Sequence, residues 1–455
     1  MQNDASYLKR LGARILGEAN DLKRTPEALA EDLGLPFETI QKAIAGELAE
    51  DAAVDLLRSM ASVYPVSFSS LWVEPDDTDG GVRVMKRTES QASSRVFERK
   101  DRNGNFSPYY EYRDTAMSRA APFKPEWIKE LRFVDDDDPD NGDVAYNNGH
   151  LMHQQTFFIG EVNFYWKTDG KSHCAQMNTG DSNYITPFVS HSFTSRNKGA
   201  PGLIVAVTFA GQVRDALDTF SQVDGKTIED YSGDLRDKRS IFATRLKRHL
   251  AAESLTTEAF SKWLVDEGVE VARARSLTRT EFLPSAEEIK VMAELLKIRE
   301  TDLMTTEMAS DEEVAVTYGE RERSRSFPDD NYPAYRMKPL ARVRQQPQLK
   351  GFDVTVLGGS REAVLQHTLH EYIYNYGDVA VDLSWGDSNR ETLQPGDSAY
   401  LRPLTEHSFS ASNGAEGRLA MVRVPGQLLD GVIDEFAAFD EVGRSRALGE
   451  NKRWF

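Results

Sequence analysis

Cysteine is nearly absent from this 455-residue chain: Cys174 stands alone, so no intramolecular disulfide can form and nothing points to an oxidising compartment. Positive charge is also scarce. Fifty-five Lys and Arg face 73 Asp and Glu, a net charge of -18 with a pI near 5.0. Nucleic-acid recognition needs clustered cations, so no nucleic-acid partner is expected. No stretch approaches the ~18 apolar residues of a membrane-spanning helix. The opening "MQNDASYLKRLGARIL" lacks the basic and apolar blocks of a secretory leader. The expectation is therefore a soluble cytoplasmic protein without a membrane partner. What is present is ordinary core-forming material, 40% hydrophobic and 10% aromatic, in a length that predicts about two to four domains.

The chain repeats itself once. "GDSNYITPFVSHSFTS" (180–195) is echoed by "GDSAYLRPLTEHSFSA" (396–411), an offset of 216. At nearly the same offset "HLMHQ" (150–154) meets "HTLHE" (367–371), and "GQVRDALDTF" (211–220) meets "GQLLDGVIDEF" (426–436). Three matches in one order indicate a duplicated unit. Residues 1–75 have helical periodicity, and "LKRTPEALAEDLGLPFETIQKAIAGE" carries a Thr-Pro-Glu helix start and a glycine turn, as in a helix-turn-helix. Residues 76–225 change to short period-two runs such as "TFFIGEVNFYW" and "GLIVAVTFA", the pattern of a sandwich or barrel. Residues 226–310 are helical again and 311–455 strand-like again. The acidic run "DDDDPDNGD" (135–143) is expected to be a solvated loop.

"YNNGHLMHQQTFFIGEVNFYW" (146–166) puts two histidines and two glutamines where a strand enters a core. Two imidazoles and an oxygen donor inside a small barrel can form a facial triad that leaves open positions on iron, and His150, Gln154 and His191 are the candidates. A flat strand would separate His150 from Gln154 by about 13 Å, too far for one ion. The chain must bend between them, which Gly149 beside a bulge would allow. His153 is expected to face the other way by alternation. A lone histidine is more often a satisfied core residue than a ligand. Here both recur, as His367 and His407, and Glu371 takes the place of Gln154.

The helix-turn-helix beside a barrel, "YYEY", "YNNGH", a donor four residues beyond the histidine, and the "GDS…HSF" motif together resemble the mononuclear iron enzymes that act on hydroxyalkylphosphonates. That family includes hydroxypropylphosphonate epoxidase, 2-hydroxyethylphosphonate dioxygenase and methylphosphonate synthase. The resemblance covers essentially the whole chain. It implies an α+β fold, a tandem repeat of a helix-turn-helix-like domain plus a cupin (a double-stranded β-helix or jelly-roll barrel). It also implies Fe(II) as cofactor and 2-hydroxyethylphosphonate and O2 as small-molecule partners. The dioxygenase pattern takes a carboxylate from six residues before the second histidine, where this chain has Ile185. The synthase pattern uses His-x3-Gln and a second His, which His150, Gln154 and His191 match. Conversion of 2-hydroxyethylphosphonate to methylphosphonate and CO2 is therefore the expected reaction, with the dioxygenase reaction, giving hydroxymethylphosphonate and formate, as the alternative.

The family's phosphonate contacts carry over to Lys23, Tyr112 (the last residue of "YYEY") and Asn147, with Arg102 chosen over Arg99. Taken singly, these would be a helix-end cation, a half-buried strand residue, a turn former and a loop charge. The second repeat keeps His367, Glu371, His407 and Tyr335. Ser254 stands near the place of Lys23, and Val364 replaces Asn147, so a non-catalytic second barrel is expected. Helix-turn-helix plus cupin is also a regulator architecture, but "PFETIQKAIAGELAED" has one lysine against several acids, a poor fit to DNA phosphates. A homo-oligomer is compatible with all of this.

Overall fold

The computed structural model describes residues 5–305, 313–358, 363–411, 414–449 and 452–454. Local signals place the first helices. Thr25 caps Pro26–Leu33 by accepting from the Ala28 amide at 3.2 Å, and Gly34 ends it in the left-handed region at φ 65°. Phe37–Ala45 follows at once. Apolar residues spaced at helical intervals, among them Leu11, Ile15, Leu29, Ile40, Leu57 and Met60, bury into one small core. Residues 238–303 build a second helical block with its own core around Phe242, Leu246, Phe260 and Met292. Among the described residues, no helix is long and apolar enough to cross a membrane.

The strands form two matching antiparallel assemblies. In the first β-unit a seven-stranded sheet runs in the order Val314–Thr317, Ser182–Ile185, His153–Ile159, Leu203–Phe209, Phe123–Glu130, Phe106–Asp114, Arg95–Lys100. A three-stranded sheet, Lys171–Met177, Val162–Thr168 and Ser190–Ser195, accompanies it. Side chains from both sheets, including Ile128, Phe158, Phe164, Met177 and Phe193, share one core. The second β-unit repeats this. Its large sheet runs Val82–Met85, Ser398–Leu401, His370–Asn375, Gly417–Val424, Lys350–Val356, Tyr335–Pro339, Arg325–Phe327.

The edge strands are exchanged. Val82–Met85 pairs with Ser398–Leu401 of the second unit, while Val314–Thr317 pairs with Ser182–Ile185 of the first. The sheets therefore do not follow the boundaries expected at 76–225 and 311–455. The repeated "GDS" clasps this exchange. Asp181 accepts from the Gly319 amide at 2.9 Å and Asp397 from the Arg87 amide at 2.7 Å. The Ser182 and Ser398 hydroxyls accept from the amides of Ala341 and Ala116, each at 2.8 Å. A shared apolar layer, with Phe123, Phe157 and Val207 meeting Tyr372, Tyr400 and Val422, joins the two units.

Candidate metal and phosphonate site

Alternation along His153–Ile159 decides what faces inward. Phe158 enters the core of the first unit, and Gln154, on the same face, is buried. His153 turns to the interface, where Nδ1 meets the Tyr184 hydroxyl at 2.7 Å and the ring stacks on Phe209, as expected. His150 precedes the strand, which begins only at His153. The chain bends between them at Leu151 and Met152; just before His150, Gly149 turns the backbone at φ +71°, and a Cβ there would lie 2.5 Å from the Phe188 carbonyl carbon. The bend brings the His150 and His191 rings together, centroids 5.3 Å apart and nearly perpendicular.

The tautomers are set by the backbone. His150 Nδ1 lies 3.1 Å from the Met152 carbonyl and His191 Nδ1 2.8 Å from the Val189 carbonyl. A carbonyl accepts only, so each Nδ1 carries a proton, and in a neutral ring Nε2 is then the nitrogen with the lone pair. Burial, the largest cause, drives the His191 imidazole down to about 4, which keeps it in the neutral, metal-binding form. Gln154 donates from Nε2 to Thr156 Oγ1 at 2.9 Å, leaving its carbonyl oxygen as the donor atom. Ile185 sits directly opposite Gln154 on the next strand and is fully buried.

A cavity of about 330 Å³ opens over these groups, and Arg99, Tyr112, Asn147, Lys124, Glu126 and Thr208 also line it. Asn147 braces His191: its Oδ1 accepts from the His191 amide at 2.9 Å and its Nδ2 lies 3.0 Å from Nε2. Tyr112 packs edge-on against Phe97, and burial, then the Glu126 and Glu130 carboxyls, push its hydroxyl up. It remains a hydrogen-bond donor. Burial likewise raises the Glu126 carboxyl.

Two expected phosphonate contacts are elsewhere. Arg102 lies beyond the end of its strand at Lys100, exposed in a turn, with Nε 2.6 Å from Asp143. Arg99, on the strand itself, is the arginine at the cavity. Lys23 does not line the cavity in its own chain. Its ammonium sits 4.6 Å over the Trp454 ring, and Asn20 holds the Lys452 carbonyl beside it at 3.1 Å. Lys124, Glu126 and Thr208 escaped sequence reasoning. The signal was the alternation of Lys124, Glu126 and Ile128 along Phe123–Glu130.

No protein-family model matches the chain. A methylphosphonate synthase of Nitrosopumilus maritimus is 35% identical over 460 residues, covering 99% of this chain and 96% of that protein. The chain belongs to the methylphosphonate synthase and 2-hydroxyethylphosphonate dioxygenase family. A Streptomyces albus 2-hydroxyethylphosphonate dioxygenase, solved with 2-hydroxyethylphosphonate and Fe(II) bound, superposes with TM-score 0.88 at 34% identity, covering 99% of this chain and 100% of that one. PhpD, solved with cadmium, shares the fold at TM-score 0.75 and 19% identity, over 96% of this chain and 99% of its own.

The donor set of the first unit suits the iron(II) of this family: two imidazole nitrogens, one amide oxygen and an open cavity beside them. The second unit repeats the scaffold with different contents. His367 Nδ1 faces the Leu369 carbonyl at 3.1 Å and His407 Nδ1 the Thr405 carbonyl at 2.9 Å. Sheet register corrects one expected equivalence. Tyr335, whose hydroxyl accepts from the Phe409 amide, matches Tyr110, whose hydroxyl accepts from Phe193. Met337, not Tyr335, takes the place of Tyr112: each lies two residues further along, opposite Val354 and Ile128 respectively. Arg423 stands opposite Glu371 where Thr208 stands opposite Gln154. Leu365 makes the backbone contact that Asn147 makes in the first unit, one position beyond Val364 and equally apolar.

Proposed function

We propose that this chain converts 2-hydroxyethylphosphonate to methylphosphonate and CO2 with Fe(II) and O2, in a tandem arrangement of helix-turn-helix-like domains and cupin barrels. The observation that carries this is Gln154 as the third donor, with Ile185 opposite it where a carboxylate would serve the dioxygenase reaction. Bound to His150, Gln154 and His191, iron(II) would supply one-electron and dioxygen chemistry. The chain's own residues bind and orient. A phosphonate is a multiple acceptor, and Arg99, Tyr112 and Asn147 offer a cation and neutral donors around the cavity. Tyr112, kept protonated by burial, can donate throughout. Holding the phosphonate still favours one reacting geometry over others. Lys124 adds a second cation at the cavity.

The deciding experiment is product identification with carbinol-labelled 2-hydroxyethylphosphonate, read by phosphorus and carbon NMR. Methylphosphonate and labelled CO2 are expected. Hydroxymethylphosphonate and labelled formate would establish the dioxygenase reading, which the 34% identity to the Streptomyces albus enzyme keeps in view.

Two substitutions sort the phosphonate contacts. Arg99→Ala is expected to raise the substrate KM about ten- to a hundredfold, the worth of a charge-assisted hydrogen bond. Arg102→Ala should leave it within about twofold, because that guanidinium already pairs with Asp143 on the surface. The reverse order would return Arg102 to the site. Lys23, stowed against Trp454 within its own chain, would reach a phosphonate only from a second copy. On that reading, Lys23→Ala should weaken substrate binding while metal content stays the same, and unchanged binding would leave the first helical block as scaffold.

A further inference from the structure

Outside the cavity just described, the second unit gathers His367, Glu371 and His407 so that one ligand atom of each lies within 4.8 Å of the others. Glu371 Oε2 is 3.2 Å from His367 Nε2 and 2.9 Å from His407 Nε2. The His407 contact is short, yet among the described residues this buried Nε2 has no hydrogen-bond partner of good geometry. Its Nδ1 lies 2.9 Å from the Thr405 carbonyl, which accepts only, so the ring proton is there. In the neutral ring, the Nε2 lone pair then faces a carboxylate lone pair at 2.9 Å. Two lone pairs at that distance repel unless a positive centre lies close to both.

We propose that His367, Glu371 and His407 hold a second divalent first-row transition-metal ion, separate from the reacting one and screened from substrate by Arg423. Two imidazoles and a carboxylate are a common ligand set for such ions. Both histidines have the carbonyl partners that orient metal-bound imidazoles, and Arg423 Nε occupies the outer oxygen of Glu371 at 2.9 Å. Charge does not disfavour this site relative to the first. Gln154 with Thr208 is neutral, and Glu371 with Arg423 also sums to zero. Access differs. Thr208 lines the open cavity of the first unit, whereas the long Arg423 side chain, only 13% exposed, takes that position in the second. With Met337 and Leu365 in place of Tyr112 and Asn147, this site lacks those two donors of the first.

The test counts ions on the full-length chain, stripped with chelator and loaded with manganese(II), by equilibrium dialysis and electron paramagnetic resonance. Two ions are expected in the wild type, one in His191→Ala and one in His407→Ala. A wild-type chain that binds one ion, lost in His191→Ala, overturns the proposal. So does a His407→Ala chain that binds as many ions as wild type, which would leave a protonated His407 as the positive centre. If His407→Ala does not fold, His191→Ala decides alone, since it leaves the second unit untouched: one retained ion supports the proposal and none overturns it. A wild-type chain with a single ion that survives His191→Ala would uphold this site and refute metal binding at the first.

Discussion

Thr208→Arg is expected to abolish binding of 2-hydroxyethylphosphonate, by about a hundredfold or more, while manganese(II) still binds at His150, Gln154 and His191. The duplicated scaffold supplies the argument. Thr208 faces Gln154 across one pair of strands, and Arg423 faces Glu371 across the equivalent pair. In the second unit the arginine, only 13% exposed, pairs with the carboxylate at 2.9 Å. In the first, threonine leaves that space to the cavity and uses its hydroxyl on the Lys124 carbonyl at 3.0 Å. An arginine there would occupy the volume a phosphonate needs, and losing two or more charge-assisted hydrogen bonds at about 1.5–3 kcal/mol each accounts for the size of the effect. Adding Gln154→Glu should fix the new guanidinium in place and deepen the loss. Substrate titration by calorimetry, with parallel metal counts, reads both arms. Unchanged affinity in Thr208→Arg would mean that the phosphonate does not use this end of the cavity.

Gly149→Ala should be the most damaging single change near the site that touches no donor atom. Alanine at φ +71° is strained by about 1–3 kcal/mol. The added carbon would also lie 2.5 Å from the Phe188 carbonyl carbon and 2.6 Å from its oxygen, both backbone atoms that cannot rotate away. The segment 149–152 must move, and His150 moves with it. First-site metal binding and turnover are expected to fall by at least about a hundredfold, with lower resistance to urea. The second site should keep its ion, because its histidine is preceded by Gln366 and not by a strained glycine. Wild-type metal affinity in the alanine variant would show that the bend is tolerant.

Much of the site was legible because it is written locally. Identical spacing in two copies exposed His150, Gln154 and His191 and their partners His367, Glu371 and His407. Period-two alternation put His153 on the opposite face, where it stacks on Phe209. The roughly 13 Å reach of a flat strand required a bend between His150 and Gln154, and Leu151 and Met152 make it, with Gly149 turning the chain just before His150. Helix caps such as Thr25 and Gly34 fixed the first helices from a handful of residues.

Other features depended on pairings between segments far apart in the chain. Arg99 and Arg102 are three residues apart, and the end of the strand at Lys100 separates a cavity residue from a surface one. Whether Tyr335 stands for Tyr110 or Tyr112 is a matter of register, and a shift of two residues keeps the face while changing the neighbour. The exchange of Val82–Met85 and Val314–Thr317 between units has no local signature, since an edge strand reads alike whichever sheet it joins. The sequence by itself determined the duplication, the histidines and glutamine that gather at one cavity and the faces they occupy, because spacing and alternation are properties of the chain's own geometry. The tertiary structure alone decided that Arg99 reaches the cavity, that Lys23 lies against Trp454, and that Thr208 leaves open in one unit what Arg423 fills in the other. Those outcomes are set by which backbones lie side by side after folding.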